Sequence, residues 1–213
     1  MENNHFEEFD NVTLLTEKEI FQKIFSEPRK AFEYIHKNRF ENYLITILIT
    51  VGICNAVDNT FEKIIAGTID NVMLSLTLSV LIGAFLGWIS FYLFGGLLSW
   101  TGKWYNGRGT TDEFVRILGY ANFPTYISLL VTLIQVIFMK VLPTTFLSES
   151  LYQIFIYGFV AVSFFIGIWS IALSVIGIAV VQNFSYGKAF LNYITAIAVV
   201  AVPLFLIIFM IVR

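Results

Sequence analysis

The chain has 213 residues, of which 57% are apolar and only 13% charged, and its formal net charge is −2. A soluble domain carries about 25% charged residues, and the mean hydropathy here is +0.77, so an ordinary water-soluble globule is excluded. Basic residues flank apolar blocks and form no free basic face, which excludes a nucleic-acid partner.

Residues 1–41 read as a polar head. The first 15 are acidic (Glu2, Glu7, Glu8, Asp10) and are expected to be disordered. No signal peptide is expected, because no apolar run begins before residue 43. Thr16–Glu19 (TEKE) is a capping box that opens a helix. Ile20, Phe21, Ile24 and Phe25 then share one helical face. Pro28 suits the first turn of a second short helix, with Phe32 and Ile35 on its apolar side. Both amphipathic helices are expected to lie in the membrane interface, where Arg29, Lys30, Lys37 and Arg39 would meet anionic lipid.

Residues 42–213 read as the membrane domain. A bilayer core about 30 Å thick needs roughly 20 apolar residues of helix. Met73–Trp100, Leu118–Met139, Leu151–Val181 and Ala189–Val212 meet that length without a charge, and the shorter Tyr43–Val57 adds a fifth span. Asp58–Asn71 is expected to be an outer loop. In the second span Ser75, Ser79, Gly83 and Gly87 recur every four residues, a ladder of small residues for close helix packing. The ladder suits packing within the chain, and a second copy of the chain is the other partner it would fit. Gly102, Gly107 and Gly109 predict a flexible turn, and Thr110–Glu113 (TTDE) is a second capping box. The helix it opens is expected to be interfacial, with Arg116 toward headgroups. It should bend into the third span at Gly119, Asn122 and Pro124, where Tyr120 and Asn122 could satisfy freed backbone groups or anchor to headgroups. Gly158, Gly167 and Gly177 are expected to interrupt the fourth span, and Pro203 to kink the fifth.

Lysine and arginine placement sets the orientation. Lys18, Lys23, Arg29, Lys30, Lys37, Arg39, Lys103, Arg108, Arg116 and Lys188 fall on one side, against Lys63, Lys140 and Arg213 on the other. The positive-inside rule places the N-terminus in the cytoplasm and the C-terminus outside.

The segment "PRKAFEYIHKNR", five spans, a glycine loop leading into "FVRILGYANFP", and a last hairpin with "FSYGKAF" together resemble the Yip family of Yip1-domain membrane proteins, over roughly residues 28–212. Leu118-Gly119-Tyr120-Ala121 with Pro124 is the sharpest local element. The resemblance implies a five-span all-α fold with a cytoplasmic N-terminus. Eukaryotic members are associated with Rab/Ypt GTPases, vesicle trafficking and membrane shaping, and carry an Asp-Leu-Tyr-Gly-Pro motif that this chain lacks. Its absence and the short head suggest a prokaryotic member in the bacterial plasma membrane.

Spans two to five hold no Asp, Glu, Lys, Arg or His in their interiors, where proton relays and ion-coupled carriers usually keep them. His5 and His36 lie in the head, and no metal-ligand pattern, P-loop or nucleophile–base pair is present, so no catalytic residue, cofactor or metal is expected. His36 near Glu33 reads as a solvated helix face. The expected function is a non-enzymatic membrane protein that organises the membrane or recruits lipids, membrane proteins or cytoplasmic proteins. Its contact surface would be Arg29, Lys30, Lys37, Arg39, Arg108, Arg116 and Tyr120. The alternative is a small transporter or channel for a lipid or neutral solute, with Asn122, Gln135 and Gln153 lining a passage.

Overall fold

The computed structural model describes residues 15–141 and 148–212, and every regular element within them is helical. The acidic opening stretch, His5 and Arg213 lie outside the described residues. In chain order the helices are α1 (Glu17–Ser26), α2 (Pro28–Lys37), α3 (Leu44–Ile65), α4 (Val72–Gly102), α5 (Thr111–Ala121), α6 (Pro124–Val141), α7 (Glu149–Gln182) and α8 (Tyr186–Val212). One 3₁₀ turn, Lys103–Tyr105, follows α4.

The capping box forms at the start of α1. Thr16 N–H donates to the Glu19 carboxylate at 2.8 Å, and Glu19 N–H donates back to Thr16 Oγ1. Pro28 takes the first turn of α2 and forces Glu27 out of helical geometry, which separates the two helices. Their apolar faces do not lie against lipid as expected. Ile20, Ile24, Phe32 and Ile35 are each 0% exposed and belong to the same core as Leu48, Ile117 and Leu173. Burying each such side chain contributes about 2 kcal/mol. The head and the membrane bundle therefore share one core.

Helix α3 overruns the expected span of residues 43–57. No glycine or proline stands between Val57 and Ile65, so the helix absorbs Asp58, Glu62 and Lys63 and stops before Gly67, whose φ is 69°. The expected outer loop shrinks to residues 66–71. Asp58 becomes a half-buried helical residue whose Oδ2 accepts a hydrogen bond from Ser128 of α6 at 2.9 Å.

The small-residue ladder of α4 is filled by α3. A Cβ placed on Gly52 would lie 2.5 Å from the Gly83 carbonyl oxygen and 2.5 Å from the Gly87 Cα. The two backbones touch, and only glycine permits that approach. Ser79 hydrogen-bonds Thr60 across the same seam, and Ser75 opens it, half-buried. Lipid supplies no hydrophobic drive for helix association, so close packing and such bonds hold the pair. The ladder thus works within one chain, and the face that a second copy would need is already covered.

The expected third span, residues 118–139, begins inside α5. The helix breaks at Asn122 and Phe123, and α6 restarts at Pro124. Asn122 caps α5 by donating its Nδ2 to the Leu118 carbonyl at 2.8 Å. In α7 the expected interruptions do not occur. The helix runs unbroken past Gly158 and Gly167, beside which a Cβ would meet nothing within 4 Å. Asn183, left-handed at φ 54°, ends it. Helix α8 starts three residues before the expected Ala189, and Pro203 lies inside it. Large apolar side chains such as Phe85, Phe165 and Phe205 point outward, exposed, as befits a surface solvated by lipid.

Gly52→Leu forces the α3 and α4 backbones apart and should cost about 3 kcal/mol or more, within the upper range for overpacking. Gly158→Ala should be neutral or slightly stabilising. Thermal unfolding of the purified protein in detergent checks both.

Candidate functional site

Helix α5 is the centre of one end of the bundle, called here the head end. Every residue from Phe114 to Ala121 is buried. Helices α2, α3, α4 and α7 pack around it, so it shows no face to lipid and the expectation of an interfacial helix is overturned. The same burial overturns the headgroup roles expected of Arg116 and Tyr120, which are 6% and 0% exposed. Arg116 pairs with Glu41, its Nε and Nη2 both donating to Glu41 Oε1. A buried guanidinium needs such a partner, because an uncompensated charge out of water is costly. One turn further along, the Tyr120 hydroxyl donates to the Asn42 carbonyl at 2.6 Å. Asn42 Nδ2 in turn donates to Glu17 of α1 at 2.9 Å.

These bonds hold a strained linker between α2 and α3. Arg39 and Tyr43 sit at φ 47° and φ 59°, left-handed positions that cost a non-glycine residue about 1–2 kcal/mol each. Phe21 and Phe40 flank the Tyr120 ring at 6.1 Å and 5.8 Å. The segment ending at Arg39 and the segment around Tyr120, distant in sequence, meet here. Gly119 is tight for the same reason: a Cβ there would come within 2.9 Å of Leu44.

The glycine loop, expected to be a flexible turn, is a packed one. Gln182 Oε1 accepts from the Gly109 N–H at 2.8 Å. Asn192 Oδ1 accepts from Thr101 Oγ1 at 2.7 Å, and its Nδ2 donates to the Leu98 carbonyl at 3.3 Å. A side chain on Gly102 or Gly107 would run into the Gln182 amide. Gln182 and Asn192 are 5% and 0% exposed, and they lock the end of α4 to the α7–α8 hairpin. Sequence reasoning missed both. The available signal was two carboxamides on either side of a short turn between two long apolar helices.

Deeper in the bundle lies a cavity of about 310 Å³, lined by Asn55, Ser90, Asn122, Ser170, Ser174 and Tyr193 with Phe91, Phe94 and Leu118. Asn122 is among the residues expected to line a passage. Gln135 and Gln153 lie elsewhere, so the expected trio does not converge.

At the surface of the head end, Lys37, Arg39, Lys103 and Arg108 are exposed, and none makes an ion pair among the described residues. Arg29 and Lys30 are also exposed but bind Glu33 of the same helix at 2.8 Å and Glu27, the residue before that helix, at 2.9 Å. The hydrogen bond from Lys30 holds the Glu27 carboxyl below its ordinary range. The bond to Glu33 raises the Arg29 guanidinium further. His36 faces Glu113 of α5 at 4.0 Å, not Glu33. No group of three His, Cys, Asp or Glu among the described residues could hold a metal ion.

Among the described residues five helical spans are long and apolar enough to cross a membrane, and the surface they present is apolar. This is an all-helical, five-span integral membrane protein. The Yip1 domain family matches residues 23–209, and the chain belongs to that family. Comparison with curated proteins and with solved structures gives no match.

Gln182→Ala leaves the Gly109 N–H buried without an acceptor, which costs about 1–3 kcal/mol. Gln135 and Gln153 make no hydrogen bond to other described residues, and their alanine variants should stay within about 0.5 kcal/mol of the parent. Thermal midpoints, together with protease sensitivity of the residue 103–110 loop, separate the two cases.

Proposed function

We infer that this protein is a non-enzymatic scaffold of a bacterial plasma membrane, whose head end faces the cytoplasm and recruits anionic lipid and partner proteins. One observation carries the reading: Lys37, Arg39, Lys103 and Arg108 are exposed and make no ion pair among the described residues, while the buried Arg116 is matched by Glu41. Cations that serve the fold are neutralised in it; these four are left for something outside. Arg29 and Lys30 extend the surface, because exposed pairs of their kind are worth little and exchange readily for a phosphate. The clustering of lysine and arginine at this end supports its cytoplasmic placement. The absent Asp-Leu-Tyr-Gly-Pro motif supports a prokaryotic setting over a Rab-linked one.

Orientation is tested by cysteine labelling. Lys103→Cys in a Cys54→Ser background should react with a membrane-impermeant maleimide only after the cells are opened. Labelling in intact cells reverses the topology and removes the proposed surface from the cytoplasm.

Recruitment is tested with protein held in phosphatidylcholine nanodiscs and floated with phosphatidylglycerol vesicles. Changing Lys37, Arg39 and Arg108 to Gln should weaken association roughly tenfold or more at low salt, and added salt should weaken the parent in the same direction. Equal flotation of parent and variant at low salt would end the proposal.

A further inference from the structure

The polar cavity is not accounted for by a surface scaffold. It lies within the membrane-spanning segments of α3, α4, α7 and α8 and beside the α5–α6 break. Several of its polar groups have no partner among the described residues. The side chains of Asn55, Ser170 and Tyr193 make no hydrogen bond to any described residue, and the Asn122 carboxamide uses its nitrogen on Leu118 and leaves its oxygen free. Surrounded by lipid tails, such groups carry a desolvation cost until something bonds them. The lining contains no carboxylate, ammonium or guanidinium. A phosphate there would find no counter-charge, so the complementary ligand is polar and uncharged.

A second feature says what kind of molecule carries that polar group. Ser90 and Phe94 also line a groove of about 750 Å³ between α4 and α8, continued by Leu97, Trp100, Ile197 and Leu204. Apart from Ser90 its walls are apolar. Along α8 the groove runs from Ala196 to Leu204, about 12 Å at the helical rise. The Phe94 ring, edge-on to Tyr193 at 5.7 Å, stands at the border of the two spaces. An uncharged hydrogen-bonding chamber joined to an apolar slot matches an uncharged, hydroxyl-bearing lipid.

We propose that this chamber and slot bind a neutral glycerolipid of the diacylglycerol type, its glycerol hydroxyl among Asn55, Asn122, Ser170 and Tyr193 and an acyl chain between α4 and α8. The site does not depend on the head-end cations or on the orientation of the protein.

The test uses the full chain in phosphatidylcholine nanodiscs containing a diacylglycerol with a photoreactive acyl chain, and maps the label by peptide mass spectrometry. Label should concentrate on α4 around residues 90–100 and on α8 around residues 193–204. Unlabelled diacylglycerol should compete, and phosphatidic acid should not. Asn55→Leu with Ser170→Leu removes two unpartnered polar groups and should lower labelling roughly tenfold, the weight of two lost hydrogen bonds. Ala201→Trp fills the slot from an exposed position and should lower it without touching the chamber. Changing Lys37, Arg39 and Arg108 to Gln should leave it unchanged, so this site and the surface reading fail separately. Label spread evenly over the five spans, equal competition by phosphatidic acid, or full labelling of both chamber and slot variants at parental melting temperature would overturn the proposal.

Discussion

The constraint on which the rest of the structure depends is the burial of α5 from Phe114 to Ala121. A stretch buried on every side must find a partner for each polar side chain it carries, and this one carries two large ones, Arg116 and Tyr120. Arg116 is answered by Glu41, and Tyr120 by the Asn42 carbonyl. Both answers come from the same short linker, so burying α5 also determines how the head is strung to the first span. The left-handed residues Arg39 and Tyr43 are the local cost of that route. The apolar faces of α1 and α2 then close over α5 from one side, while α3, α4 and α7 close from the others.

Enclosure also sorts the charges. One arginine is drawn into the core and matched, whereas Lys37, Arg39, Lys103 and Arg108 remain on the outside of the same assembly with no ion-pair partner among the described residues. The glycine loop contributes to this sorting through rigidity. Gln182 and Asn192 fill the space where side chains on Gly102 and Gly107 would stand, so Lys103 and Arg108 project from a pinned turn. A pinned cationic surface loses little conformational entropy on meeting a partner.

The membrane-embedded part follows a different economy. Between α3 and α4 the backbones approach through Gly52, Gly83 and Gly87, leaving no space. Between α4 and α8 the approach is looser, and a polar chamber and an apolar slot open on the two sides of Phe94. The glycines expected to break α7 leave it continuous, and the polar residues expected to define a passage lie apart. The paired opening between α4 and α8, polar on one side of Phe94 and apolar on the other, is suited to holding an amphipathic molecule.

Most of the architecture was legible in the chain, because its causes are local. Both capping boxes, the proline start of α2, the bend at Pro124, the small-residue ladder and the five apolar blocks act through residues within a few positions of one another. Residue types alone could not say what each polar side chain would face. Arg116 reads as facing headgroups and Tyr120 as either a backbone partner or a headgroup anchor; only the packing of the neighbouring helices around α5 buried them and gave the Tyr120 hydroxyl a backbone carbonyl. Gln182 and Asn192 drew no notice, since a carboxamide acquires meaning only from the backbone group opposite it. Periodicity and composition are properties of short segments, so the sequence by itself determined the helices and their membrane character. Which polar groups were satisfied, exposed or left waiting in a cavity was decided by contacts between residues 70 to 100 positions apart, such as Arg116 with Glu41 and Asn192 with Leu98, which exist only once the helices pack.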